Sequence, residues 1–188
     1  MRKALSHIAA LAILATTAGC STLQKLPSEA PAEQSEAQAT ETPAEQVTPN
    51  DQVISVQELV NMFANADNMD AEMKKYGYKV VSDYEVFRVA RYSKMFYKNC
   101  RLPKKIVEHK YEDYPRALKA GISSYVAVGD DGVMVGVFNN NAYENLVAQV
   151  KANGFRLDME GNEDIYTNGI YYIACNKSYR TVRVTKVS

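Results

Sequence analysis

Asn68-Met69-Asp70-Ala71-Glu72-Met73-Lys74-Lys75-Tyr76-Gly77-Tyr78-Lys79-Val80 aligns without a gap on Asn145-Leu146-Val147-Ala148-Gln149-Val150-Lys151-Ala152-Asn153-Gly154-Phe155-Arg156-Leu157. Each stretch reads as the end of a helix, a glycine, an aromatic residue and the start of a strand. Leu59, Met62, Phe63, Ala66, Met69 and Met73 recur at spacings of three and four, as one buried helix face should, and so do Tyr143, Leu146, Val147 and Val150. Gly77 and Gly154 then fall just past the helix ends, where a left-handed cap needs a residue without Cβ. The aromatic residue that follows can pack back on the last turn as the strand begins.

Working outward, a second pair of blocks lines up, Met95-Phe96-Tyr97-Lys98-Asn99-Cys100 with Ile170-Tyr171-Tyr172-Ile173-Ala174-Cys175. Strands are predicted at Val80-Val81, Val86–Arg91, Lys94–Tyr97 and Ile106–Glu108 in the first copy. Ser124–Val128 and Val133–Phe138 flank the turn Gly129-Asp130-Asp131-Gly132 and predict a hairpin. The second copy predicts strands at Phe155–Asp158, Asp164–Tyr166, Ile170–Ala174 and Arg180–Val187. The expected fold class is therefore α+β: two helix-plus-antiparallel-sheet repeats packed as one domain over residues 53–188. This layout is similar, as a pattern, to tandem-repeat envelope domains such as the β-lactamase inhibitor protein class. The similarity carries no motif residue by residue and so implies no site. If the repeat holds, Cys100 and Cys175 sit at equivalent positions, either close enough for a disulfide or at opposite ends of the sheet.

Before the domain lies a different kind of sequence. Residues 21–52 hold six acidic groups against Lys25 alone and are rich in Pro, Glu, Ala, Gln, Ser and Thr. Such a stretch buries too little apolar surface to offset its ordering entropy, so residues 20–52 are expected to form a disordered linker with a reach on the order of 30 Å.

Residues 1–19 open with Met1-Arg2-Lys3, continue through the apolar run Ile8–Ala15 and end on Ala18-Gly19 before Cys20. A basic start, a short apolar middle and small residues before a cut site make an export signal. The apolar run is far shorter than the roughly 20 residues needed to cross a bilayer. Ala18-Gly19-Cys20 resembles the lipobox of bacterial lipoproteins, although Thr17 stands where that family most often has Leu. The resemblance implies lipidation of Cys20, with palmitate among its acyl chains, and cleavage before it. The acidic residues do not begin directly after Cys20 and position 21 is Ser and not Asp, and both point to an anchor in the outer membrane with the domain in the periplasm. The competing reading is ordinary signal cleavage that leaves Cys20 a free thiol. Lipid on Cys20 also explains the odd number of cysteines, leaving Cys100 and Cys175 as a pair or as two separate buried thiols.

The domain offers little for catalysis. His109 is its one histidine, so any Ser-His-Asp or Cys-His site must use it. In Ile106-Val107-Glu108-His109 it reads first as a strand-surface residue. Cys100, Cys175 and His109 lack metal-ligand spacing, Asp158–Asp164 lacks the ligand pattern of a calcium loop, and no Gly-rich phosphate loop is present. No cofactor and no metal are therefore expected.

Charge is more informative. Residues 88–119 hold ten basic groups against three acidic ones, and residues 120–176 hold seven acidic groups against Lys151 and Arg156. Tyrosines interleave the basic run. Arg88, Arg91, Tyr92, Lys94, Tyr97, Lys98, Arg101, Lys104 and Lys105 are accordingly the candidate binding surface, since tyrosine and arginine dominate protein interfaces. The plainer reading is a solvated sheet face with tyrosine used as a strand former. The expected function is a non-enzymatic, lipid-anchored binding domain for another envelope protein or an anionic envelope polymer. Alternatives are an inhibitor of an exported hydrolase and an envelope-acting hydrolase that uses His109. Nucleic acid is not an expected partner. Self-association through the opposite charges of the two halves is a further expectation.

Overall fold

A computed structural model describes residues 47–86, 90–102, 115–119 and 121–187. Helix α1 (Val56–Ala64) begins in a capping box, with Ser55 and Glu58 each satisfying a backbone N–H of the other. It buries Val56, Leu59, Val60 and Met62. The apolar spacing continues past this helix, but the helix does not. Asn65 leaves the helical region at φ −144°, and its side chain accepts from Asp67 N–H to open a short 3-10 turn, Ala66–Asn68. Helix α2 (Met69–Lys75) then buries Met69 and Met73. The single helix face expected from Leu59 to Met73 is thus two helices, because the asparagine side chain competes for the backbone donor.

The glycine caps form as expected. After α2, Tyr78 N–H donates to Met73 O (3.1 Å) and Gly77 N–H to Lys74 O (2.9 Å), with Gly77 at φ 78°. After α3 (Asn140–Ala152), Phe155 N–H reaches Val150 O and Gly154 N–H reaches Lys151 O, with Gly154 at φ 81°. Both are Schellman closures, and each feeds directly into a strand.

The strands are β1 (Lys79–Val86), β2 (Ala90–Lys98), β3 (Cys100–Arg101), β4 (Arg116–Ala117), β5 (Ser124–Val128), β6 (Gly132–Val137), β7 (Arg156–Met159), β8 (Asp164–Thr167), β9 (Tyr171–Asn176) and β10 (Thr181–Lys186). Eight of them form one antiparallel sheet in the order β1-β2-β5-β6-β10-β9-β8-β7, and β3 pairs with β4 in a separate ribbon. The chain therefore meanders from an edge to the centre twice, and β6 meets β10 in the middle. The domain is α+β. The predicted strand at Ile106–Glu108 lies outside the described residues.

The helices lie on one face of this sheet. A row across it runs Phe96, Val126, Val135, Val182 and Cys175, and a second runs Val133, Val184 and Ile173. All are buried in one cluster with Leu59, Met73, Leu146 and Val150 of the helices. Each such aliphatic or aromatic side chain contributes about 1.5–3 kcal/mol on burial. The fold also takes in the end of the expected linker. Asn145 Nδ2 donates to Thr48 O (3.0 Å) and its Oδ1 accepts from Asn50 N–H (3.3 Å), and just beyond, at the start of the domain, Gln149 Oε1 accepts from Val56 N–H (3.0 Å) and Val53 and Ile54 are buried.

Two expectations about the cysteines are corrected. Block Met95–Cys100 spans β2 and β3, whereas Ile170–Cys175 leads into β9. Strand β2 adjoins the edge strand β1, but β8 separates β9 from its edge strand β7. The second pair of aligned blocks therefore does not occupy matching places in the sheet. Nor are Cys100 and Cys175 bonded; both are free and buried. Cys100 Sγ lies 3.3 Å from Ser124 O at the start of β5, while Cys175 is on β9. Strands β6 and β10 stand between, so the separation is about 14 Å at the usual strand spacing. A disulfide tolerates about 7 Å between Cα atoms. Burial pushes the Cys175 thiol up to about 12, with the charge of Asp164 adding to it, and the Cys100 thiol up to about 11.

Candidate binding face

Alternation along each strand sends every second side chain to the face that carries no described helix. The register sets them in rows. One row runs Tyr97, Tyr125, Gly136, Thr181 and Asn176, and the next runs Met95, Ala127, Met134, Arg183, Ala174 and Ile165. A third joins Thr185, Tyr172, Thr167 and Arg156. Gly136 is required where it stands, since a Cβ there would meet the Tyr125 ring at 2.2 Å. The ring lies flat over this glycine and packs against Phe138, with centroids 6.0 Å apart.

The two halves of this face differ in cover. Over β2 and β5, Met95, Tyr125 and Ala127 are at most 4% exposed. Leu102 packs on them together with Tyr92 and Tyr97, and Tyr84 of the edge strand joins the same cluster. The long connection from β2 to β5 supplies Leu102 and Pro115. Ser123 ties its base, with Oγ 2.7 Å from both Asn99 O and Lys119 O while accepting Lys119 N–H. Over β10, β9 and β8 no described residue plays that part, because β8 turns into β9 through Asn168–Ile170 alone. Ile165, Tyr172, Arg183 and Thr185 are half-buried.

Where cover gives way to open sheet there is a cleft of about 340 Å³. Pro115, Tyr125, Met134 and Phe138 make its apolar part, and Glu163, Asn176, Tyr179 and Arg180 make its rim. Asn176 Nδ2 donates to Glu163 Oε1 (3.2 Å), and its Oδ1 accepts Tyr179 N–H (3.0 Å). Glu163 also holds Arg183 by a single 3.4 Å contact. Arg180 Nε donates to Asn140 Oδ1 (2.8 Å).

The residues proposed from sequence do not share one surface. Lys94 reaches the helix side, where Nζ pairs with Asp70 at 2.7 Å. Lys98 also turns that way: Nζ donates to Gln52 O (3.0 Å) and sits over the Tyr78 ring. Burial lowers its pKa, with the charge of Asp51 opposing the change. Tyr97 lies on the opposite face, and Tyr92 packs with it against the covered cluster. Arg91 and Arg101 are exposed on β2 and β3. Arg88, Lys104, Lys105, His109 and Cys20 lie outside the described residues. Compared with protein-family models, curated proteins and solved structures, the chain matches none. The layout similarity to the inhibitor class therefore transfers no residue, and the site is read from its geometry.

Sequence reading missed Arg180, Glu163, Asn176, Met134 and Phe138. They come from separate turns and strands, and only the sheet register gathers them. One usable signal was present: in the β9–β10 hairpin, Lys177-Ser178-Tyr179-Arg180 offers no glycine for its left-handed position.

Proposed function

We propose that this chain is a lipid-anchored envelope lipoprotein whose domain is a non-enzymatic binding module for another envelope protein or an anionic envelope polymer. The address rests on Ala18-Gly19-Cys20 at the end of a short export signal, followed by an acidic, proline-containing spacer. The binding role rests chiefly on one observation: among the described residues, the sheet face opposite the helices is covered over one half and open over the other. A domain that leaves aromatic, apolar and arginine side chains on a sheet face covered by no described residue presents an interaction surface.

The domain is further proposed to be a duplication, in which α2 through β6 corresponds to α3 through β10. Register supports this. If β6 and β10 are exchanged about the middle of the sheet, Val133 and Val135 fall on Val182 and Val184. Tyr125, Val126 and Ala127 then fall on Tyr172, Ile173 and Ala174, and Met95 and Phe96 on Ile165 and Tyr166. At the edges, Tyr78, Lys79 and Val80 fall on Phe155, Arg156 and Leu157, the correspondence that the first pair of aligned blocks carries.

Two experiments test these readings. Wild-type chain should take up labelled palmitate and fractionate with outer membranes, and Cys20→Ala should do neither. A Cys20→Ala chain that stays in the membrane fraction, beside unlabelled wild type, removes the anchor. For the binding role, crosslinking in the native envelope should recover a discrete partner. Recovery of none, with an open-face variant such as Tyr172→Asp fully functional, removes it.

A further inference from the structure

The cleft at the edge of the covered half carries an inference about what binds there, and it rests on the binding-module reading above. Its floor is apolar, formed by Tyr125, Met134, Phe138 and Pro115. Its rim is charged on two sides. Glu163 stands on one, already engaged by Asn176 and Arg183. Arg180 stands on the other, with Nε held by Asn140 and its two Nη groups in no hydrogen bond among the described residues. Arg183, the register partner of Met134, is held by one long contact and keeps donors to spare.

Arg180 is also costly where it is. Its φ is 53°, in the left-handed region that glycine and asparagine enter easily and other residues do not. The hairpin between β5 and β6 makes its turn, Gly129-Asp130-Asp131-Gly132, with no residue at positive φ. At the β9–β10 turn an arginine takes the unfavourable backbone, and Val137 N–H donates to its carbonyl at 3.1 Å. Strained residues of this kind collect at ligand clamps, where the side chain is worth more than the backbone loses.

We infer that the cleft takes a segment of a partner polypeptide in which an apolar side chain is flanked by a carboxylate. The apolar side chain fills the floor over Met134 and Phe138, and the carboxylate meets Arg180 on the rim. The chain itself provides the precedent: on the covered half, Leu102 and Pro115 of its own β2–β5 connection lie on the same face. A polyanionic sugar fits worse, because it leaves the apolar floor unmatched and brings repeated charge against Glu163.

The test uses the full-length chain in detergent and a random peptide library displayed on phage. Enriched peptides should carry an aromatic or aliphatic residue next to Asp or Glu. Arg180→Gly and Arg180→Asn should weaken a representative enriched peptide at least tenfold, measured by fluorescence anisotropy, while the melting temperature stays level or rises. Met134→Asp should also abolish binding of that peptide. The inference is overturned if enrichment fails, if enriched peptides are basic, or if both Arg180 variants bind within twofold of wild type. Binding of alginate in preference to every peptide overturns it too. The broader reading has a separate readout: if crosslinking in the envelope still captures a partner while the cleft variants bind it as wild type does, the binding module stands and the cleft assignment falls.

Discussion

The two halves of the sheet share a pleat and a register but differ in what lies over them. On the helix side they are alike: Phe96, Val126 and Val135 in one, Ile173, Val182 and Val184 in the other, all at most 1% exposed. On the far side the half built from β1, β2, β5 and β6 carries Leu102 and Pro115 of the β2–β5 connection, and over the half built from β7 to β10 no described residue plays that part. The shared side makes the core, and the two halves part company on the other side.

Phe96 and Tyr166, which correspond under the proposed duplication, give the largest test of this comparison. Phe96→Ala should cost about 3–5 kcal/mol in urea unfolding, because the ring is buried at the centre of the helix-side core. Tyr166→Ala, near the outer strand β7, should cost less, about 2–3 kcal/mol. Equal costs would mean that the two halves pack alike to their edges.

Gly136 and Thr185 make a sharper pair, since each sits beside a tyrosine, Tyr125 or Tyr172. Gly136→Ala forces its Cβ into a ring pinned from above and should cost about 1–3 kcal/mol. Thr185→Gly on the open half should cost only about 0.5–1 kcal/mol, the usual loss for glycine in a strand. A reversed order would contradict the difference in cover.

Smaller effects belong to the helix layer. Ser55→Ala removes one arm of the α1 capping box and should cost about 1 kcal/mol. Burial raises the pKa of Glu58, but hydrogen bonds from Ser55 and Tyr76 and the charge of Lys75 outweigh it, so the net shift is downward. A carboxylate with a depressed folded pKa stabilises fully above its unfolded value of about 4.3 and loses that contribution as pH falls through the folded value. Glu58→Gln should therefore flatten the acid limb of a stability-against-pH curve and leave its shape near pH 7 unchanged. The smallest effect concerns the thiols: Cys100 and Cys175 should resist iodoacetamide at pH 8 in the native protein and react fully in urea, with or without reductant.

Much of the fold was legible because its signals are local. Helix, glycine, aromatic and strand follow one another within a dozen or so residues, and both glycine caps formed where that order placed them. Two features escaped for physical reasons. The apolar spacing runs unbroken through Asn65, so periodicity alone could not show that a side-chain hydrogen bond ends the helix there. The match of Met95–Cys100 to Ile170–Cys175 follows residue type, whereas the place of a strand in the sheet depends on its pairing, which puts β2 and β9 at different depths from their edges. The candidate site was less legible. A run of basic residues is contiguous in sequence, but strand alternation and pairing send Lys94 and Lys98 towards the helix layer and Tyr97 to the other face. Arg180, Glu163 and Met134 meet only because β6, β10, β9 and β8 are neighbours.

Site-specific photo-crosslinking in intact envelopes tests the central claim most directly, with the photoreactive residue at Thr185 on the open half or at Asn61 on the exposed side of α1. The account predicts one discrete polypeptide adduct from Thr185 and none from Asn61. An adduct from Asn61 with none from Thr185 would contradict it, and would move the binding surface to the helix layer.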